Sequence, residues 1–184
     1  SIAGLPAFAQ RLIRMLVIAM VNSPSSTTGT LEEGIGVLWE HPQVRRELCE
    51  LLDVLATQVT HLPISLSTHS EVPLQIHARY TRLEILAAFG LGSGVSTPPW
   101  REGVYWAAEA KADLLAFTLD KSSGSFSPTT RYRDYAISPT LVHWESQSET
   151  KASGKVGQRY QHHVARDSSI MLFARKTTED RAFF

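Results

Sequence analysis

The spacing of apolar side chains changes once along this 184-residue chain, and that change restricts it to helices first and strands afterwards. Over residues 1–60 apolar residues recur at three and four, the period of a helix with one buried face. Pro6 can open the first helix and "VNSPSSTTG" ends it. Thr30 with Glu33 predicts a capping box at the start of a second, in which hydroxyl and carboxylate satisfy donors that the first turn leaves free. His41-Pro42 breaks that helix, and Val44, Leu48, Leu51, Leu55 and Val59 then line one face of a third, which makes this zone a small helical bundle. After residue 100 the pattern becomes short and β-prone: "GVYWA", "DLLAFTLD", "LVHWESQ" and "IMLFARK" read as four or more strands in a mostly antiparallel, curved sheet or barrel. The fold class expected is α+β, with a helical segment at 1–70 packed beside a β-rich domain at 71–184. Between the two zones, Thr81 with Glu84 repeats the capping box, Gly90 falls where a left-handed C-cap belongs, and "GLGSG" reads as a linker.

Charge and cysteine content narrow the partners. Eighteen basic residues balance eighteen acidic ones, so the overall charge favours neither nucleic acid nor a membrane surface. The apolar run from Leu12 to Val21 contains Arg14 and is about half of the ~20 residues a bilayer span needs, so no membrane partner is expected. The single cysteine, Cys49, excludes an internal disulfide and a thiolate zinc cage, points to a reducing cytoplasm, and reads as a core thiol on the third helix.

Reaction chemistry leaves little trace. There is no G-x-S-x-G elbow, no H-E-x-x-H and no phosphate loop with its lysine. His162 and His163 are adjacent, which aims them apart, and they read as solvated loop residues. Glu109-Ala-Lys111 matches half of a metal-dependent nuclease motif, but Glu102 is the only acidic residue just before it, and a charged hairpin turn explains the segment better. We therefore expect no catalytic residue, no metal and no cofactor, and a chain that is not itself an enzyme; a cryptic nuclease built on Glu102, Glu109 and Lys111 is the least favoured reading.

The segment "SPTTRYRDYAISPTLVHWESQS", residues 127–148, combines aromatic rings, arginines and hydroxyls with few aliphatic side chains. Rings and carboxylates are groups that read nucleobases. Tyr132, Tyr135 and Trp144 are candidates to stack on a base; Asp134, Ser146 and Gln147 are candidates to bond its edge. Residues 131–166 carry six basic against three acidic side chains, and Arg131, Arg133, Lys155 and Arg159 are the candidates for phosphate contacts. The competing reading makes these aromatics core, with the domain docking onto a partner protein or forming oligomers through its N-terminal helices.

The blocks "REGVYW", "DLLAFTLDKS", "FSPTTRYRDYAIS", "HWESQS" and "GQRY", in this order over about residues 72 to 176, resemble a C-terminal domain of unknown function found in bacterial helicases, often with a phospholipase-D-type nuclease at the N-terminus. Relatives of that arrangement are type IV restriction enzymes, which cut DNA bearing modified cytosine. The resemblance implies a target-recognition domain with a fold similar to the SET-and-RING-associated (SRA) readers, which flip a modified base into a pocket on a curved sheet. It implies double-stranded DNA carrying a modified base as partner, with helicase and nuclease domains in cis or in trans, and a place in phage defence. Ser1 and the lack of any helicase motif fit an excised C-terminal piece or a stand-alone relative.

Overall fold

The Pro6 carbonyl accepts the first bond of helix α1 (Ala7–Val21) from the Gln10 amide, so the ring that could not continue a helix instead begins one. The structure, a computed structural model, describes residues 1–21, 29–59, 64–121, 134–138 and 140–184. Helix α2 (Leu31–Glu40) begins with the capping box expected from its sequence: Glu33 N donates to Thr30 Oγ1 at 3.1 Å, and Thr30 N donates to Glu33 Oε2 at 2.7 Å. The latter bond holds the Glu33 carboxyl below the usual carboxylate range. Gly34 lets α2 lie against α1, because a Cβ there would collide with the Val17 side chain. Helix α3 (Pro42–Gln58) starts at the proline that stops α2, and helix α4 (Arg82–Ala88) ends with a Schellman motif: Leu91 N donates to Leu86 O, Gly90 N to Ala87 O, and Gly90 takes φ +73°.

These helices belong to one compact unit, Ser1–Ala78 with Arg82–Pro99. Residues 71–78 and 82–99, grouped with the strands on composition, fall within the unit of the helices. The core of the unit includes Val17 and Ile18 of α1, Leu38 of α2, and Ile85 and Leu86 of α4. "GLGSG" is more than a linker. Arg14, buried on α1, donates to the carbonyls of Gly94 (Nε, 3.0 Å), Leu91 (Nη2, 2.7 Å) and Ser96 (Nη2, 2.6 Å), and so gathers the loop around one guanidinium. Gly92 and Gly94 are left-handed there, and a Cβ on either would strike a backbone carbonyl, of Ser96 and Gly29 respectively.

Two expectations for this unit fail. No residue of α3 is buried: Val44, Leu51 and Leu55, and Val59 just past its end, each stay about half exposed, because the helix packs mainly against the ten-residue α2 rather than inside a bundle. Cys49 is exposed for the same reason and is not a core thiol. Among the described residues no helix is long and apolar enough to cross a membrane.

The second unit, Arg79–Thr81 with Trp100–Phe184, holds all seven strands found among the described residues. They are β1 (Tyr80–Thr81), β2 (Val104–Ala107), β3 (Ala112–Thr118), β4 (Tyr135–Ser138), β5 (Leu141–His143), β6 (Ser169–Arg175) and β7 (Ala182–Phe183), with helix α5 (Lys155–Gln161) between β5 and β6. The chain is thus α+β. Strands β2 and β3 form an antiparallel hairpin, but β3 and β6 run parallel through seven residue pairs, from Ala112↔Ser169 to Thr118↔Arg175. Every residue of β3 is buried, as a central strand requires. The main sheet, ordered β2-β3-β6, is therefore mixed, and among the described residues no barrel closes. The crossover arises because β4, β5 and α5 all lie between β3 and β6 in the chain, a span long enough to bring β6 back in the same direction. Strands β4 and β5 form a separate hairpin, and β1 pairs with β7, which Phe184 ties to β6 by two backbone bonds with Ala174.

Candidate functional site

Trp106 on β2 stands directly across from Asp113 on β3, so both side chains project from the same face of the hairpin. Asp113 has no exposed surface, and a buried carboxylate needs a partner. Arg159 of α5 supplies it, donating from Nε to Oδ2 and from Nη2 to Oδ1, both at 2.7 Å. Its guanidinium lies 4.0 Å from the centre of the Trp106 ring, so one side chain is held by a carboxylate at its edge and an indole on its face. The bonds to Asp113 raise the Arg159 pKa further above an already high value, so the group is always charged. Tyr160 follows on the same helix, its ring 5.8 Å from the guanidinium, and meets Trp144 edge to face at 5.6 Å. Burial pushes the Tyr160 phenol up to about 12, which keeps it an O–H donor. Trp106, Trp144, Arg159 and Tyr160 are all only partly buried. In a T-shaped pair one ring meets the other by its edge and keeps both faces outside that contact.

Helix α5 reaches this position because Gly157 allows it: a Cβ there would hit the Lys151 carbonyl, and Gln158 and Gln161 both donate to Ala152 O at 2.9 and 3.1 Å. The polar stretch around it is thus folded under the helix rather than spread as a loop. His163 is not a purely solvated loop residue either, since its Nδ1 donates to the Tyr160 carbonyl at 2.9 Å; His162 is exposed.

The expected site residues are only partly brought together. Trp144 lies just past β5 rather than on it, and meets Tyr160, whose ring in turn lies 5.8 Å from the Arg159 guanidinium. Asp134 is buried, accepting from Lys121 Nζ at 2.6 Å and from the Glu145 amide at 3.0 Å, one partner on each oxygen. That carboxylate ties Lys121 to the exit of β5 and is not an open edge waiting for a base. Tyr135, half exposed on β4, stacks on His143 across the hairpin at 4.8 Å, and Gln147 donates to Glu102 at 3.2 Å. Ser146 is partly buried, and Lys155 is the exposed first residue of α5. Arg131, Tyr132 and Arg133 lie outside the described residues. Glu109 is exposed in the β2–β3 turn and Lys111 pairs with Asp167 at 2.9 Å; among the described residues no group of three metal-binding side chains forms.

Trp106, Asp113 and Tyr160 complete the cluster and were not among the expected site residues. One signal points to them: an aspartate inside the otherwise apolar "ADLLAF" must have a mate.

A family model described as a domain of unknown function, DUF3427, matches residues 74–184, more than half of the chain. The chain belongs to that family. Neither the curated proteins nor the solved structures compared with it gave a match. The DUF3427 region takes in α4 as well as the main sheet and α5, so every member of the aromatic-arginine cluster lies inside it.

Proposed function

We propose that this chain is a non-catalytic DNA-binding domain that recognises a modified base, cytosine above all, drawn out of the double helix. The observation that carries the reading is the partly open cluster of Trp106, Trp144 and Tyr160 around a fixed arginine. Extruding a base costs a few kcal/mol of stacking, and aromatic rings return roughly 1 to 3 kcal/mol per base. The resemblance of the ordered blocks to domains of type IV restriction enzymes supports the same reading and suggests an SRA-like role for the β-rich unit. Cleavage of the modified DNA then falls to helicase and nuclease domains, in cis or in trans, and the setting is the bacterial cytoplasm.

Selectivity should be moderate. One extra methyl is worth about 0.8 kcal/mol, rising to ~3 in a tight pocket, or roughly 4-fold to 200-fold in affinity. In a titration of the purified chain, duplexes carrying methylcytosine or hydroxymethylcytosine bind more tightly than the unmodified duplex by a factor in that range, and Trp144→Ala lowers affinity for the preferred one about 5-fold or more. Equal affinity for all duplexes, with Trp144→Ala silent, rejects the proposal.

A second reading, in which the chain docks a helicase-nuclease or self-associates, is favoured by the uncovered face of α3. Light scattering separates the two: an oligomer that Leu51→Glu with Leu55→Glu dissociates, together with no DNA binding at low salt, selects it.

A further inference from the structure

We infer that Arg159 contacts a guanine of the bound DNA through its O6/N7 edge, and not a phosphate. This rests on the DNA-binding reading above and adds a specificity residue to it. A guanidinium is a rigid fork with a side edge, Nε with Nη2, and an end edge, Nη1 with Nη2. Asp113 takes the side edge, with both bonds at 2.7 Å. Nothing among the described residues accepts from Nη1, and the side chain keeps 15 % of its surface open. The Trp106 ring, its centre 4.0 Å from the guanidinium carbon, holds it from another side. What remains is a pair of parallel N–H donors on the end edge, oriented before any ligand arrives.

Either a phosphate or a guanine could use two such donors, and charge decides between them. Phosphate affinity comes from unbalanced positive charge and the counterions it displaces. The fully buried Asp113 carboxylate sits against the guanidinium and cancels that charge locally. Direction survives the cancellation. Guanine presents two acceptors side by side, O6 and N7, whereas adenine places its N6 donor where the second acceptor should be. The neighbouring rings of Tyr160 and Trp144, proposed above to receive the extruded base, set this donor edge beside bases rather than along a sugar-phosphate strand.

The test uses the full chain and fluorescence anisotropy on duplexes carrying the preferred cytosine modification, with each guanine replaced in turn by 7-deazaguanine, which pairs normally but lacks N7. At one position the replacement weakens binding by roughly 5-fold or more, while inosine there, which keeps O6 and N7, does not. Arg159→Lys removes that difference and leaves the slope of log affinity against log salt unchanged; a phosphate contact would lower the slope by about one. The inference is overturned if 7-deazaguanine is neutral everywhere, or if Arg159→Lys lowers the slope. Because the base replacements are made in the DNA, they decide the matter even where the lysine variant does not fold. Modified duplexes that bind preferentially with no 7-deazaguanine effect sink the guanine contact alone; absence of binding to any duplex sinks the DNA reading with it.

Discussion

Asp113→Ala is expected to destabilise the β-rich unit by about 3–5 kcal/mol, since it leaves the Arg159 guanidinium partly buried with its carboxylate gone. Urea unfolding followed by tryptophan fluorescence suits the measurement, because Trp100, Trp106 and Trp144 all belong to this unit and only Trp39 to the other. The companion variant Asp113→Leu with Arg159→Met removes both charges together and should recover most of the loss, as apolar replacements of buried pairs commonly do. A loss below about 1 kcal/mol for the single variant would mean that the pair does not hold α5 on the sheet. The pair therefore has two separable tasks: the double variant keeps the unit folded, yet abolishes the donor edge proposed to read guanine.

The second large effect lies in the helical unit. Arg14→Met keeps the length and most of the apolar stem but removes three charge-assisted bonds to the carbonyls of Leu91, Gly94 and Ser96. Burial lowers the Arg14 pKa, yet from a value high enough that the group stays charged, and among the described residues its partners are carbonyl dipoles and not a carboxylate. With a net 1.5–3 kcal/mol for a hydrogen bond to a charged group and part of that regained through solvent, a loss of about 3 kcal/mol is expected. Hydrogen exchange locates it. The Val95 amide, bonded to Gly29 O at 3.2 Å, should lose its protection first, ahead of the amides of α1. Unchanged protection at Val95, with an unchanged urea midpoint, would show that the glycines alone shape the loop.

What could be read from the sequence follows the distance over which each feature is decided. The Thr30–Glu33 cap and the Gly90 C-cap were legible because donor and acceptor lie within a few residues. Strands β2, β3 and β6 were legible as elements for the same local reason. Their parallel arrangement was not, because β3 and β6 meet across more than fifty residues of chain and no periodicity records direction. Asp113 and Arg159, 46 residues apart, illustrate the same limit at the site: each is visible alone, and only folding joins them. Helix α5 was hidden by Gly157, a poor helix residue that packing against Lys151 favours. For α3 the apolar stripe was read correctly and its burial was not, since a pattern states which face could be covered and not what covers it.

The late arrival of β6 has a consequence for how this domain can be handled. Until residues 169–175 have been synthesised, the seven-residue β3 has β2 on one side and an unsatisfied ladder of amides and carbonyls on the other. A fragment stopping short of that point presents a greasy, hydrogen-bond-hungry rim to its neighbours, and the nascent chain must shield that rim through the whole intervening excursion. The C-terminal stretch is thus what renders the middle of the sheet inert, and shortening this region from its far end exposes the part least able to tolerate company.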